Sequence, residues 1–254
     1  MNSMASSAML WIVLLGTISG LMIGCIGIGG VILVPALVFL AGIPIKVAIP
    51  AALLAYILSG LVATIVFASH KSIRWGMAIS LCIGATPAAF AGAWAVSAFN
   101  QPLLEVCLGL LTFLSGLNSL RTQKVTGVDT KVSNGTLLAV GGVTGFLSSL
   151  TGTGGPLVLV PIMISMSVPV LTAVGLSQAI QLPVAVAATL GNVLYGKLDL
   201  TLGGVLAVGL TVGSWFGAKL AHIVPRTLLR RIVSVVLLMI GAFILIDVGW
   251  RLAR

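Results

Sequence analysis

Residues 24–35 read GCIGIGGVILVP, and residues 150–161 read LTGTGGPLVLVP. In both, glycines interrupt a long apolar stretch and a proline follows. Glycine is poor inside helices and permits backbone that other residues avoid, while proline lacks an amide donor and favours the first turn of a helix. Each stretch is therefore predicted to break and restart, with new helices over 29–41 and 154–167 and with Pro35, Pro161 and, further on, Pro183 marking structural breaks.

The surrounding composition sets the class. Of 254 residues, 59% are hydrophobic and 7% are charged, against roughly 45–50% and 25% in soluble domains. Long apolar runs lie near 9–40, 47–69, 75–99, 102–120, 134–168, 170–195, 200–221 and 228–250. Each reaches the roughly 20 residues that a hydrocarbon core of about 30 Å demands. They are apolar on every face, so they predict helices and not the alternating strands of a barrel. The expectation is an all-α, polytopic transmembrane helix bundle, multi-pass in the cell inner membrane.

The N-terminus, MNSMASSAMLWIVLLGTISG, has no basic region and no small-residue cleavage site, and reads as a first membrane segment. Cys25, Cys82 and Cys107 sit in apolar segments without metal-ligand spacing and read as packing residues. The net charge of +9 does not imply a nucleic-acid partner, because the positive residues cluster at segment ends, as in HKSIR (70–74), PRTLLRR (225–231) and RLAR (251–254). That is the pattern of positive-inside loops and headgroup contacts.

The longest polar stretch, 121–134, bisects the chain, and the halves resemble each other. With an offset near 125, Gly30 falls on Gly155, Val34-Pro35 on Val160-Pro161 within one residue, and Pro44 on Pro169. Ala48 falls on Ala173, Gly92-Ala93 on Gly217-Ala218, and Leu103-Leu104 on Leu228-Leu229. The expected organisation is a transmembrane repeat 1 (1–120), a cytoplasmic connector (121–133) and a transmembrane repeat 2 (134–254). Each repeat opens with a Gly/Pro-broken helix.

Broken backbone at membrane depth is tolerated only where protein or a filled cavity meets its amides. Gly/Pro-interrupted segments at matching places in two repeats are the sequence pointer to a transporter's binding site. The positive ends of the restarted helices favour an anion. These arguments give Gly27, Gly29, Gly30, Thr151, Gly152, Thr153, Gly154 and Gly155 as candidate substrate-binding residues. A plainer account stands beside this one. Gly16, Gly20 and Gly24 have the spacing of close helix packing, and GxGxxG-like glycines without a strand are a weak nucleotide signal.

Intramembrane polar residues are few. Gln178 and Gln181, before Pro183, lie three apart on one helix face and are expected to point inward, with Asn192 further along. They join the candidate site, either as donors to substrate oxygens or as interhelical hydrogen-bonders. Tyr56, Ser59 and Thr64 lie in the corresponding helix of the first half. The acids, Glu105, Asp129, Asp199 and Asp247, offer no mid-span proton relay, and Asp247 sits four residues before Arg251 as in a helix-end ion pair. His70 and His222 read as loop residues, and Lys219 reads as snorkelling to the headgroups or, alternatively, touching an anion. Nothing resembles a positioned nucleophile, base or metal cluster, so no enzyme, metal or cofactor is expected.

The opening GCIGIGGVILVPALVFLAGIPIKVA, its second copy TGTGGPLVLVPIMISMSVPVLTAVGLSQ, the eight-span scale and the duplication together resemble the TauE/SafE sulfite exporter family, also called the 4-toluene sulfonate uptake permease family. The resemblance covers essentially the whole chain. It implies transport of sulfur-containing organic or inorganic anions such as sulfite, sulfoacetate or related sulfonates. The partners expected are a small anionic substrate and the lipid bilayer, with homo-oligomerisation left open.

Moving one charge across 100 mV is worth about 2.3 kcal/mol, so an anion leaving a negative-inside cell needs no coupling ion, which favours export over uptake. A channel and a non-transporting membrane scaffold are the rival readings. If each glycine-broken segment enters and returns, the repeats are inverted and both termini lie outside; if each crosses once, they are parallel and both termini lie inside. Basic residues divide eight against four under either scheme. The short restarted segments favour inverted repeats with half-helices meeting near the midplane.

Overall fold

The computed structural model describes residues 2–26, 30–120, 132–221, 223 and 226–252, without the side chains of 2–8, 26, 118–120, 226–233, 236 and 252. The described chain is helical throughout. Helix α1 (Asn2–Ile26) is followed by α2 (Gly30–Pro35), which runs into a π-helical turn at Ala36–Leu40. Then come α3 (Ile45–Ser69), α4 (Trp75–Ala98), α5 (Gln101–Leu120), α6 (Asn134–Thr151), α7 (Pro156–Ser165), α8 (Val170–Tyr195), α9 (Leu200–Leu220) and α10 (Arg226–Leu252). Among the described residues, α3, α4, α8 and α9 are long and apolar enough to cross a membrane.

Local chemistry sets the helix starts. Ser133 Oγ accepts from Thr136 N at 3.2 Å to cap α6, Asp199 Oδ1 accepts from Leu202 N at 2.9 Å to cap α9, and Asn100 Oδ1 accepts from Leu103 N at 3.2 Å at the start of α5. Helices α3 and α8 both begin after a proline in nearly the same conformation, Pro44 at φ −55°, ψ 136° and Pro169 at φ −55°, ψ 138°.

The second long apolar stretch is divided as the glycines predict, α6 giving way to α7; in the first, residues 27–29, where the break is expected, lie outside the described residues, and the π turn follows Pro35. The prolines do not make the breaks. Pro161 and Pro183 ride inside continuous helices, and Pro35 ends α2 where the chain widens into the π turn. A proline removes one donor and frees one carbonyl four residues back, a local defect that neighbouring helices can absorb.

Helix directions follow from which residues meet. Along α1, Gly16, Gly20 and Gly24 lie on Leu206, Leu210 and Ser214–Ala218 of α9 in the same order, so the two run parallel. On α6, Gly141 and Gly145 lie on Leu81 and Ala85 of α4, again parallel. Helices α3 and α8 run antiparallel, since Gly60 meets Gln181 whereas Thr64 meets Gln178. Helix α9 runs with α3 and α8 runs with α4, because Gly203 lies on Ala51 and Ser214 on Ser59, while Gly175 lies on Ser72 and Gly191 on Phe90. Helices α1, α3 and α9 therefore point one way, and α4, α6 and α8 the other. Helix α5 pairs antiparallel with α10, Gly109 lying on Ile244 and Gly116 on Leu238.

These pairs are close because small residues line them, the usual solution where lipid offers no hydrophobic drive between helices. A Cβ on Gly20 would lie 2.8 Å from Leu210 Cα, and one on Gly241 2.6 Å from Phe113 N. The buried interior is correspondingly rich in alanine, including Ala48, Ala51, Ala52, Ala85, Ala89 and Ala188, while Ile65, Ile79, Ile83, Leu190 and Val208 face outward. Gly16, Gly20 and Gly24 are thus packing glycines, separate in role from those of the breaks.

Candidate functional site

The second break is built by three positive-φ positions. Gly152 (φ +67°), Gly154 (+77°) and Gly155 (+104°) turn the chain between α6 and α7 within four residues, a path from which a side chain is disfavoured. Gly152 closes α6 by donating to Ser148 O, and Thr153 N also donates to Ser148 O, at 3.1 Å. Helix α7 then starts on Pro156, with Gly155 O accepting from Val158 N and Leu159 N. Among the described residues, the amides of Gly154, Gly155 and Leu157 meet no acceptor. Three open donors at the positive end of a ten-residue helix form an arrangement suited to an anion.

The start of α2 touches this break. A Cβ on Gly30 would run into Thr153 O and lie 3.0 Å from Tyr56 Oη. Tyr56, wholly buried on α3, donates from its hydroxyl to Gly30 O at 3.3 Å and lays its ring against Gly154. Thr151 Oγ1 and Thr153 Oγ1 are 3.1 Å apart and buried. The sequence places these glycines and threonines together, and in the structure they adjoin. Gly27 and Gly29 lie outside the described residues.

Gln178 and Gln181 project from α8 toward the first half, both wholly buried. Gln178 Nε2 donates to Ile23 O of α1 at 2.9 Å, and its own backbone carbonyl accepts from Thr64 Oγ1 at 2.9 Å. Gln181 Nε2 donates to Ser59 Oγ at 3.2 Å, and Ser59 O accepts from Ser214 Oγ of α9 at 3.4 Å. Interhelical bonding therefore occupies one side of each amide. The other side is open, since Gln178 Oε1 and Gln181 Oε1 are buried without a partner, as are the hydroxyls of Thr144, Ser148 and Ser149 on α6. Buried polar atoms left unpaired cost stability unless something meets them; those of Thr144, Ser148 and Ser149 lie on the helix that ends at this break, while Thr189 Oγ1, Asn192 Oδ1 and Thr211 Oγ1, also unpaired, lie further along α8 and on α9.

Asn192 is not part of this group. It lies eleven residues beyond Gln181, about 16 Å along α8 at 1.5 Å per residue, and its Nδ2 turns back to Ala188 O at 2.8 Å. A 26-residue helix separates by length what residue type alone would unite.

Tyr56 was legible as an intramembrane polar residue but not as a neighbour of this break; the signal available in the sequence is its distance from Gln181, 181 − 56 = 125, the offset at which the two halves resemble each other. Elsewhere, Lys219 Nζ stacks 3.7 Å over the Trp215 ring near the end of α9, a cation–π contact on the outer surface. His222 lies outside the described residues. His70, exposed after α3, has Nδ1 2.8 Å from Val66 O. Among the described residues no cluster of histidine, cysteine and acid could hold a metal.

The protein family described as Sulfite exporter TauE/SafE matches residues 12–244. The chain is similar to "Probable membrane transporter protein YunE" of Bacillus subtilis (strain 168), with 27% identity across 91% of this chain and 94% of that protein. It is likewise similar to "Probable membrane transporter protein YdhB" of the same organism, 28% identical across 86% and 93%, and to "Probable membrane transporter protein MJ0441" of Methanocaldococcus jannaschii, 25% identical across 92% and 94%. No solved structure matches it. With a glycine break between α6 and α7, a membrane-scale helix bundle and a family match over nearly its whole length, the chain is a membrane transporter and belongs to the TauE/SafE sulfite exporter family.

Proposed function

We propose that this transporter exports small sulfur-containing oxyanions (sulfite, sulfoacetate or another sulfonate) across the cell inner membrane. Its binding site is the meeting point of the two breaks. The observation that carries this reading is the contact of Gly30 with Thr153 beside the unpaired amides of Gly154, Gly155 and Leu157. Oxyanions need donors fixed in advance, and backbone amides at a helix start are such donors. Thr153 adds a hydroxyl at the same place, Tyr56 closes its ring over it, and Gln178 and Gln181 hold α8 against α1 and α3 behind it.

The architecture in this reading is two inverted repeats, 1–120 and 134–254, joined by a cytoplasmic connector at 121–133. Support comes from corresponding helices pointing opposite ways and from the packing glycines sharing one register. Gly16 and Gly20 of α1 correspond to Gly141 and Gly145 of α6, and Gly84 and Gly92 of α4 correspond to Gly209 and Gly217 of α9, each pair 125 residues apart. Both termini then face the extracytoplasmic side.

The test is efflux of sulfite and of a small sulfonate from preloaded proteoliposomes under an imposed potential. Saturable efflux, faster when the potential expels anions, is the expected result. Current that never saturates would mean a channel, and no flux of either anion would remove the reading.

A further inference from the structure

On the face where α3 and α5 begin and α10 ends, a cleft of about 430 Å³ opens between the π turn, α5 and α10. Its walls include Val38 and Phe39 of the π turn, the Gly42–Pro44 link, and the charged side chains Glu105, Asp247 and Arg251. The cleft therefore reaches from the molecular surface to the flank of the first re-entrant half-helix.

The charges are arranged unequally. Glu105 is buried, with 5% of its side chain exposed, and its Oε2 accepts from Arg251 Nη2 at 2.7 Å. The same Nη2 donates to Asp247 Oδ2 at 2.5 Å. Arg251 is the open member of the trio at 52% exposure, and among the described residues its Nε and Nη1 donors meet no acceptor. One nitrogen thus holds both carboxylates while the remaining donors of the planar fork stay free. A guanidinium edge of this kind pairs with two oxygens of an oxyanion. Two carboxylates against one guanidinium give the cluster a net charge of −1, so an anion bound there is held loosely.

We propose that this cleft is the extracytoplasmic exit vestibule of the transporter and that Arg251 is its anion-contacting residue, with Glu105 and Asp247 orienting it and keeping the site weak enough to release. The proposal rests on the export reading above. An anion leaving the break passes the π turn, meets the free edge of Arg251, and is repelled by the two carboxylates into the outer medium. The cost of burying Glu105 is offset by Arg251, which is why the arginine stays fixed in the cleft instead of swinging into solvent.

The test is sulfite exchange in right-side-out membrane vesicles, measuring the half-saturating concentration separately for the outer and luminal faces. Arg251→Gln should raise the outer value about tenfold and leave the luminal value unchanged. Arg251→Lys should recover part of that loss, and Asp247→Asn should lower the outer value about threefold by removing a repelling charge. Wild-type exchange with no outer shift in Arg251→Gln, or with equal shifts on both faces, overturns the vestibule and leaves the export reading intact. Absence of wild-type exchange removes both. A lipid phosphate could use the same donors. In phosphatidylcholine vesicles the outer value should therefore be the same with and without phosphatidylglycerol, and a rise on adding it that Arg251→Gln abolishes would assign the cleft to a headgroup and overturn the proposal.

Discussion

The ring of Tyr56 lies against Gly154: a Cβ at position 154 would sit 3.0 Å from Cδ2 and 3.2 Å from Cε2, and Gly154 holds φ at +77°. One residue of the first half thereby closes over the break of the second. Gly154→Ala meets both a ring and a disfavoured backbone, at an expected cost of about 1–3 kcal/mol. A melting curve in detergent should show that loss, and efflux should fall about tenfold as the free energy is withdrawn from the bound state. Tyr56→Phe keeps the ring and loses only the bond to Gly30 O, so its melting shift should correspond to about 1 kcal/mol.

The two glutamines should separate in their effects. Gln178→Leu leaves Ile23 O of α1 without its donor, and the expected signature is a destabilisation of about 1–3 kcal/mol with reduced yield of folded protein. Gln181→Leu removes a donor from Ser59 Oγ, a hydroxyl that keeps its own donation to Tyr56 O, so stability should change less. Initial efflux rates at several sulfite concentrations check the further expectation, a higher half-saturation for Gln181→Leu with folding retained.

Helix pairing can be probed without touching the break. Gly213→Val places atoms against Thr17 and Leu21 of α1, where a Cβ would already lie 2.7 Å from Leu21 N, and should cost about 3 kcal/mol or more by overpacking. On the same helix, Gly204 has open space around it, so Gly204→Ala should be neutral or stabilise by up to about 1 kcal/mol through helix propensity. Equal melting temperatures for the two variants would show that α1 does not rest on α9 as described.

Reporter fusions test the direction of the halves. A reporter after Arg254 should read the extracytoplasmic side and one at Lys131 the cytoplasm. A cytoplasmic reading at Arg254 would favour parallel repeats.

Much of this was legible because glycine and proline act locally. GTGG followed by proline specifies three positive-φ positions and a helix start without help from the rest of the chain. What depends on distance along or between helices was less legible. Asn192 looked equivalent to Gln181 by residue type, yet about 16 Å of helix separates them. Pro161 and Pro183 looked like breaks, and tertiary packing carries both helices through. The cleft at Arg251 joins the π turn to residues 105 and 247, and only the Asp247–Arg251 spacing hinted at it.

The extensive helix contacts, α1 with α9, α4 with α6, α5 with α10, and α3 and α4 with α9 and α8, all join residues before the connector to residues after it. During synthesis, α1 must therefore wait in the bilayer with its glycine face uncovered until α9 has left the ribosome, and neither half has a finished interior of its own.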